Sequence, residues 1–241
     1  MTVIAIIQAR MASTRLPGKI LKEVNGKPLL LHQLNRVKKC KNIDHIVIAT
    51  TIEIQDDIIV EFCLENSVDV FRGSENNVLE RYYQTWNKYG GDTIVRLTSD
   101  CPIIDPVIVD ETINYFMQNN FDYVSNTINR TFPRGLDTEV FSSEALEKSY
   151  KNAKNERDLE HVTPYMYLNQ NDFSIGSYTG KFDYSKYRWT VDTFEDLQLI
   201  SNLLNTYVDK EDEMNLENLI QLMEENPKWF LLNQEIEQKK I

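Results

Sequence analysis

Residues 3–19 read Val3-Ile4-Ala5-Ile6-Ile7-Gln8-Ala9-Arg10-Met11-Ala12-Ser13-Thr14-Arg15-Leu16-Pro17-Gly18-Lys19. The apolar run Val3–Gln8 has the length and composition of a buried strand. It ends abruptly in a loop of small residues that carries Arg10, Arg15 and Lys19. Small side chains let backbone N–H groups approach phosphate oxygens, and three cations neutralise them, so strand and loop together suit a triphosphate. The loop is neither G-x-x-x-x-G-K-[ST] nor G-x-G-x-x-G. A basic surface loop without a ligand has the same composition, and the residues alone leave that alternative open.

Outward from this strand the hydrophobic period alternates. Helical spacing over 28–39 (Leu30, Leu31, Leu34, Val37) is followed by a strand at 45–50, a helix at 55–65 and a strand at 68–71. A helix at 77–89, a strand at 92–97, a helix at 106–117 and a strand at 122–125 continue the series. Such alternation implies an α/β fold, with a parallel sheet covered by helices on both faces. Ligands in that architecture sit outside the carboxyl ends of the strands, where Arg10, Arg72 and Asp100 fall. The second half is less regular. It reads as strands at 136–141, 174–179 and 187–191, with helices at 143–150, 156–168 and 194–204, and an amphipathic tail at 216–236 broken near Pro227. The simplest organisation is one domain over 1–208 with an inserted subregion at about 129–187, then a C-terminal helical extension over 209–241.

The 241 residues suffice for a full core. A net charge of −11 argues against broad nucleic-acid binding, while leaving room for a cationic cleft. Cys40, Cys63 and Cys101 show no zinc-type spacing and no disulfide framework, which fits a reducing compartment, and Cys63 falls on an apolar helical face. The run at 3–8 is too short for a signal segment or a membrane span. A cytoplasmic protein with neither a nucleic-acid nor a membrane partner is expected.

Asp100 follows the strand pattern at 92–97, beside the cationic loop, where one carboxylate can hold Mg2+ together with phosphate oxygens and water. Asp192, in Arg188-Trp189-Thr190-Val191-Asp192-Thr193, also ends an apolar run, although Asp192 or Thr193 serves equally as a helix cap. Either aspartate explains itself as a turn or cap; together they are expected to share one Mg2+. Asp137 and Glu139 alternate in a β pattern and would share a strand face, either gripping a polyhydroxylated substrate or facing solvent. His161 has no Ser or Cys nucleophile elbow with it, so it reads as a neutral hydrogen-bonding or capping residue rather than a general base, and serine-hydrolase chemistry is not expected.

Taken together, the stretch 6–19, Phe71-Arg72-Gly73-Ser74 with Val78-Leu79-Glu80-Arg81-Tyr82, Arg96-Leu97-Thr98-Ser99-Asp100-Cys101-Pro102, Glu160-His161-Val162-Thr163-Pro164 and 188–197 resemble cytidylyltransferases of the CMP-sugar synthetase type. Within that family they are most similar to the branch named for the spore-coat polysaccharide protein SpsF. The resemblance covers 3–206 and implies a three-layer, Rossmann-like nucleotide-diphospho-sugar transferase fold with a mostly parallel sheet. It also implies Mg2+ dependence and attack by a substrate oxygen on the α-phosphate of CTP, expelling pyrophosphate. By matching positions, Arg10, Lys19 and Asp100 would be catalytic, and Arg10 and Lys19 would hold the triphosphate. Gln8, Ala9, Arg15, Arg72, Ser74, Arg81 and Ser99 would line the nucleotide, and Asp100 and Asp192 would hold the metal. Arg134, Asp137, Glu139 and His161 are the expected acceptor contacts. The acceptor's identity does not carry over, because the chain differs where the sialic-acid and Kdo enzymes carry their acidic-sugar pockets.

The expected activity is thus coupling of CTP to a sugar or sugar acid for surface polysaccharide or glycan assembly. A glycosyltransferase consuming a nucleotide sugar is the first alternative, disfavoured because Cys101-Pro102 follows Asp100 where Asp-x-Asp is usual. A nucleotide-binding protein without turnover is the second. A homodimer is expected from the aromatic richness of 129–187.

Overall fold

Val3, Ile4, Ala5, Ile6 and Ile7 are all buried, and their alternation divides the molecule. In the computed structural model, which describes residues 1–238, Val3, Ala5 and Ile7 face one hydrophobic cluster while Ile4 and Ile6 face another. A strand buried on both faces implies a layer of helices on each side.

In chain order the elements are β1 (Val3–Gln8), a short hairpin of β2 (Glu23–Val24) and β3 (Lys27–Pro28), α1 (Leu29–Val37), β4 (His45–Thr51), α2 (Asp57–Glu65), β5 (Asp69–Gly73), α3 (Val78–Tyr89) and β6 (Thr93–Thr98). Then come α4 (Pro106–Gln118), β7 (Tyr123–Ser125), β8 (Glu139–Ser142), α5 (Ser143–Asn152), α6 (Glu156–His161), α7 (Pro164–Leu168), β9 (Ile175–Ser177), α8 (Phe194–Thr206), α9 (Leu216–Glu225) and α10 (Pro227–Phe230). Seven strands form one sheet in the order β5-β4-β1-β6-β8-β7-β9. The pairs β5–β4, β4–β1, β1–β6 and β7–β9 are parallel; β8 runs antiparallel to both β6 and β7. The sheet is therefore mostly parallel, with one reversed strand in its interior.

Leu30, Leu34 and Val37 of α1, Ile59 and Phe62 of α2, and Val109, Ile113 and Phe116 of α4 cover one face. Leu79 and Tyr82 of α3, Ala145 and Leu146 of α5, Val162 and Met166 cover the other. Local chemistry sets the helix starts. Asn77 accepts a hydrogen bond from Glu80 N at the head of α3, and Asp105 caps α4 with Pro106 at the first helical position. Thr193 and Asp196 form a reciprocal capping box on α8.

Two sequence expectations change. The helix at 156–168 is two helices, because Val162 takes φ 72 and Pro164 can only begin a new one. The stretch 187–191 is extended but is not a sheet strand; it makes an isolated parallel bridge from Arg188 to Arg134. Residues 129–187 supply β8 and β9 to the same sheet; of their aromatics Phe132, Phe141, Phe173 and Tyr187 are buried, while Phe182 is 59% exposed. The described part of 209–241 packs into the core as well: Leu216, Leu219, Ile220 and Met223 join Trp189, Leu199 and Leu203 in a third cluster. Residues 239–241 of that extension lie outside the described residues.

The three cysteines are free. Burial pushes the Cys63 thiol up to about 12, and burial aided by Asp110 and Asp105 does the same for Cys40. Burial and the adjacent Asp100 raise Cys101 well above its ordinary value. Thiolate is the reactive form. The buried Cys63 and Cys101 are therefore expected to resist a disulfide reagent at pH 8 in the native protein and to react together on unfolding, with the partly buried Cys40 labelled ahead of them. Rapid native labelling of Cys63 or Cys101 would contradict this burial.

Candidate active site

The loop after β1 is held from below. Ala9 N donates to Ala49 O at 3.0 Å, and the wholly buried Asp56 accepts from Met11 N at 2.7 Å. Met11 O in turn accepts from Ser13 N and Gly18 N. Gly18 adopts φ +65, with Met11 Cε 3.3 Å from where a Cβ would stand, so this turn needs glycine. The turn returns the chain so that Lys19 enters the cleft at the carboxyl ends of β1 and β6.

There Lys19 Nζ donates to Asp100 Oδ2 at 3.1 Å and to Asp192 Oδ1 at 2.8 Å. Those two distances, laid end to end through one nitrogen, bound the separation of the two oxygens at 5.9 Å. The aspartates meet because Val191 N donates to Asp100 O at 2.8 Å and Thr190 Oγ1 to the same carbonyl at 3.2 Å. An extended segment stitched to the end of β6, rather than a neighbouring sheet strand, delivers Asp192.

Each carboxylate turns one oxygen to the lysine and has the other occupied. Asp100 Oδ1 accepts from Thr98 Oγ1 at 2.6 Å. Asp192 Oδ2 accepts from Arg15 Nη2 at 2.9 Å and Arg188 Nη2 at 2.8 Å. Burial opposes the charge on Asp100, but Lys19 and the Thr98 hydroxyl outweigh it and hold its pKa down at about 2. Burial likewise opposes the charge on Lys19, and the two aspartates reverse that and raise its pKa. Both groups are ionised at neutral pH. Among the described residues no group of three or more His, Cys, Asp or Glu side chains could hold a metal. Asp100 and Asp192 present their oxygens to one point, held here by Lys19 Nζ, and their number and type match the donor set of Mg2+, which takes one or two protein carboxylates and completes its shell with phosphate and water.

A second group lies across β1. Arg10 is exposed and has Glu75 at 3.9 Å, and its charge is felt by Arg81. Arg81 is almost wholly buried, and its Nη1 donates to Ser74 O at 2.6 Å; Ser74 Oγ accepts from Asn77 N. The Arg72 guanidinium is committed to the turn after β4, donating to Thr51 O and Glu53 O and pairing with Asp57. Arg72 and Ser74 thus shape this end of the cleft through the backbone. Gln8 Oε1 is buried at the end of β1 with no hydrogen-bond partner, and Ser99 N donates to Gln8 O.

The expected acceptor residues divide. Asp137 and Glu139 do not share a strand face, since β8 begins at Glu139. Asp137 is held by both terminal nitrogens of Arg130 at 2.6 and 2.8 Å. Glu139 is buried on Arg96, its cross-strand partner, and accepts from the Tyr123 and Thr163 hydroxyls at 2.6 Å each. The expectation that Glu139 grips substrate is therefore corrected: its oxygens are spent in the core. Arg134 is half-buried; burial and the nearby Arg130 and Arg188 lower its pKa. His161 ends α6, a quarter exposed, with Glu160 at 4.0 Å.

Arg188, Asp196, Arg130 and Asp56 were not singled out by the sequence reading. The Thr193-x-x-Asp196 capping signature was visible in the sequence. Nothing local marked the arginines.

A family model described as cytidylyltransferase matches residues 4–241. The spore coat polysaccharide biosynthesis protein SpsF of Bacillus subtilis is 34% identical over 93% of this chain and 95% of its own length. The solved structure of a cytidylyltransferase from Leptospira borgpetersenii serovar Hardjo-bovis superposes with a TM-score of 0.92 at 38% identity, covering 99% of this chain and all of that one. A CMP:2-keto-3-deoxy-manno-octonic acid synthetase solved with CTP shares the fold, with a TM-score of 0.66 at 16% identity over 86% of this chain and 99% of its own.

Proposed function

This chain belongs to the cytidylyltransferase family, and from that premise we propose that it couples CTP to a sugar or sugar acid, with Mg2+, to make a CMP-sugar for surface polysaccharide or glycan assembly. The observation that carries this reading is the meeting of Lys19, Asp100 and Asp192 at the carboxyl ends of β1 and β6. In the proposed reaction an acceptor hydroxyl oxygen forms a bond to the α-phosphorus of CTP. The bond from that phosphorus to the β-phosphate oxygen breaks, pyrophosphate leaves, and the hydroxyl proton passes to water.

Such transfer needs charge stabilisation and alignment rather than a covalent nucleophile. Lys19 and Arg10 supply positive charge for the triphosphate, with Arg15 beside them. Arg81, framed by Ser74 and Arg72, and the end of β1 at Gln8 and Ala9 are assigned to the base and ribose, with Ser99 alongside. Asp100 and Asp192 would hold the divalent cation, which polarises the α-phosphate and offsets charge on the leaving group. Arg130 and Arg188 are neutralised by Asp137 and by Asp192 and Asp196, so the half-buried Arg134 is the guanidinium assigned to a sugar acid's carboxylate, with Asp137 and His161 at the rim of the acceptor end. No helix among the described residues is long and apolar enough to cross a membrane. We assign the protein to the cytoplasm, where CTP is available.

Incubation with CTP, Mg2+ and a panel of sugars and sugar acids is expected to release pyrophosphate with at least one acceptor. Turnover of a nucleotide sugar without CTP consumption would refute the proposal. CTP is expected to be preferred over UTP by roughly 5- to 150-fold in kcat/KM, the equivalent of leaving one buried polar group unsatisfied. Equal rates with UTP would remove the cytidylyl assignment.

A further inference from the structure

Asp192 belongs to a cage whose far wall is the C-terminal tail. The buried Arg188 guanidinium uses all three of its nitrogens. Nε donates to Asp196 Oδ1 at 2.9 Å, Nη2 to Asp192 Oδ2 at 2.8 Å and Asp196 Oδ2 at 3.2 Å, and Nη1 to Gln238 Oε1 at 2.6 Å. Asn233, only 3% exposed, donates through Nδ2 to Arg188 O at 2.9 Å and to Asp196 Oδ1 at 2.8 Å. The tail therefore touches Arg188 at its backbone, at its guanidinium and through the carboxylate that pairs with it. Asp196 is also fixed by the backbone N–H groups of Asp192 and Thr193.

Asp196 holds the guanidinium edge at Nε and Nη2, Gln238 holds its outer nitrogen Nη1, and Asn233 holds the Asp196 oxygen that accepts from Nε. Nη2, with Arg15, fills Asp192 Oδ2 and leaves Oδ1 facing Lys19 and Asp100. Without Asn233 and Gln238 the fork rests on Asp196 alone, its plane is no longer pinned at Nη1, and the Asp192 carboxylate gains freedom to turn with it.

We infer that the C-terminal tail completes the active site at one remove: Asn233 and Gln238 are positioning residues that, through Arg188, fix which oxygen of Asp192 is turned toward Asp100. The inference rests on the proposed reading of Asp100 and Asp192 as the pair that holds the divalent cation. Loss of a group that directly orients a metal ligand typically costs roughly 10- to 100-fold in metal affinity.

The test uses the full chain, CTP without an acceptor, and Mn2+ as the probe, read by electron paramagnetic resonance. CTP binding in EDTA is measured in parallel. Asn233→Ala and Gln238→Ala are each expected to weaken Mn2+ binding to the enzyme–CTP complex a few-fold, less than the roughly tenfold or more that loss of a ligand's direct partner costs, with CTP affinity in EDTA unchanged. Gln238 lies at the edge of the fold, so its variant remains informative if Asn233→Ala fails to fold. Asp192→Asn is the control for the underlying reading. Weakened Mn2+ binding in Asp192→Asn with wild-type binding in both tail variants overturns the inference and leaves the metal pair standing. Equal losses of CTP binding in EDTA and of Mn2+ binding also overturn it, because they mark a merely structural tail. Wild-type Mn2+ binding in Asp192→Asn overturns the metal reading, and the inference with it.

Discussion

Lys19→Ala is expected to lower kcat/KM for CTP by roughly 10- to 150-fold, the range set by a charge-assisted hydrogen bond of about 1.5–3 kcal/mol. The variant should also change how the protein responds to metal. Lys19 is the shared partner of Asp100 Oδ2 and Asp192 Oδ1. Without it two carboxylates with oxygens no more than 5.9 Å apart face each other with no cation between them. In EDTA the thermal midpoint should fall below that of the parent protein, and Mg2+ alone should restore more of it than it adds to the parent. Unchanged CTP kinetics would remove Lys19 from the nucleotide site. A midpoint indifferent to Mg2+ would say that the aspartate pair takes no cation.

Glu139→Ala is expected to cost about 3–5 kcal/mol of stability, because it leaves the Arg96 charge buried without its partner. The same change removes the acceptor of the Tyr123 and Thr163 hydroxyls. Urea unfolding measures it. Were Glu139 an acceptor contact instead, the variant would unfold near the parent midpoint and show a raised KM for the sugar.

The first half of the fold was legible because each βα unit there carries its own signal. Val3–Gln8 is apolar on both faces, Leu30, Leu34 and Val37 keep helical spacing, and Asp105-Pro106 announces a helix start. The second half was legible only in part: the expected strands at 136–141 and 174–179 and helices at 143–150 and 194–204 overlap β8, β9, α5 and α8. The reversed direction of Glu139–Ser142 between β6 and β7 was not, because strand direction is set by partners far along the chain, which no local period encodes. The extended stretch 187–191 has strand composition, yet it joins no sheet: it makes an isolated bridge to Arg134, where Gly135 lets the two backbones come together. A Cβ at Gly135 would stand 2.5 Å from the Trp189 carbonyl carbon. At the site, Lys19, Asp100 and Asp192 were visible as chemistry at strand ends, but the role of Arg188 was not. Its partners at 192, 196, 233 and 238 come together only in three dimensions.

The strand order also bears on how the chain is made. Strands β5, β4, β1 and β6 all come from residues 3–98 and can pair as a parallel sheet as soon as that length has left the ribosome. Until residues 139–142 follow, β6 is an open edge with a row of unpaired backbone groups, an invitation to any passing strand. Arg96 lies in the middle of that edge. A lone charge there discourages a foreign strand from docking, and the one strand that brings the matching carboxylate, Glu139, is its own. The ion pair sealed in the finished sheet would thus act beforehand as a lock that admits a single key.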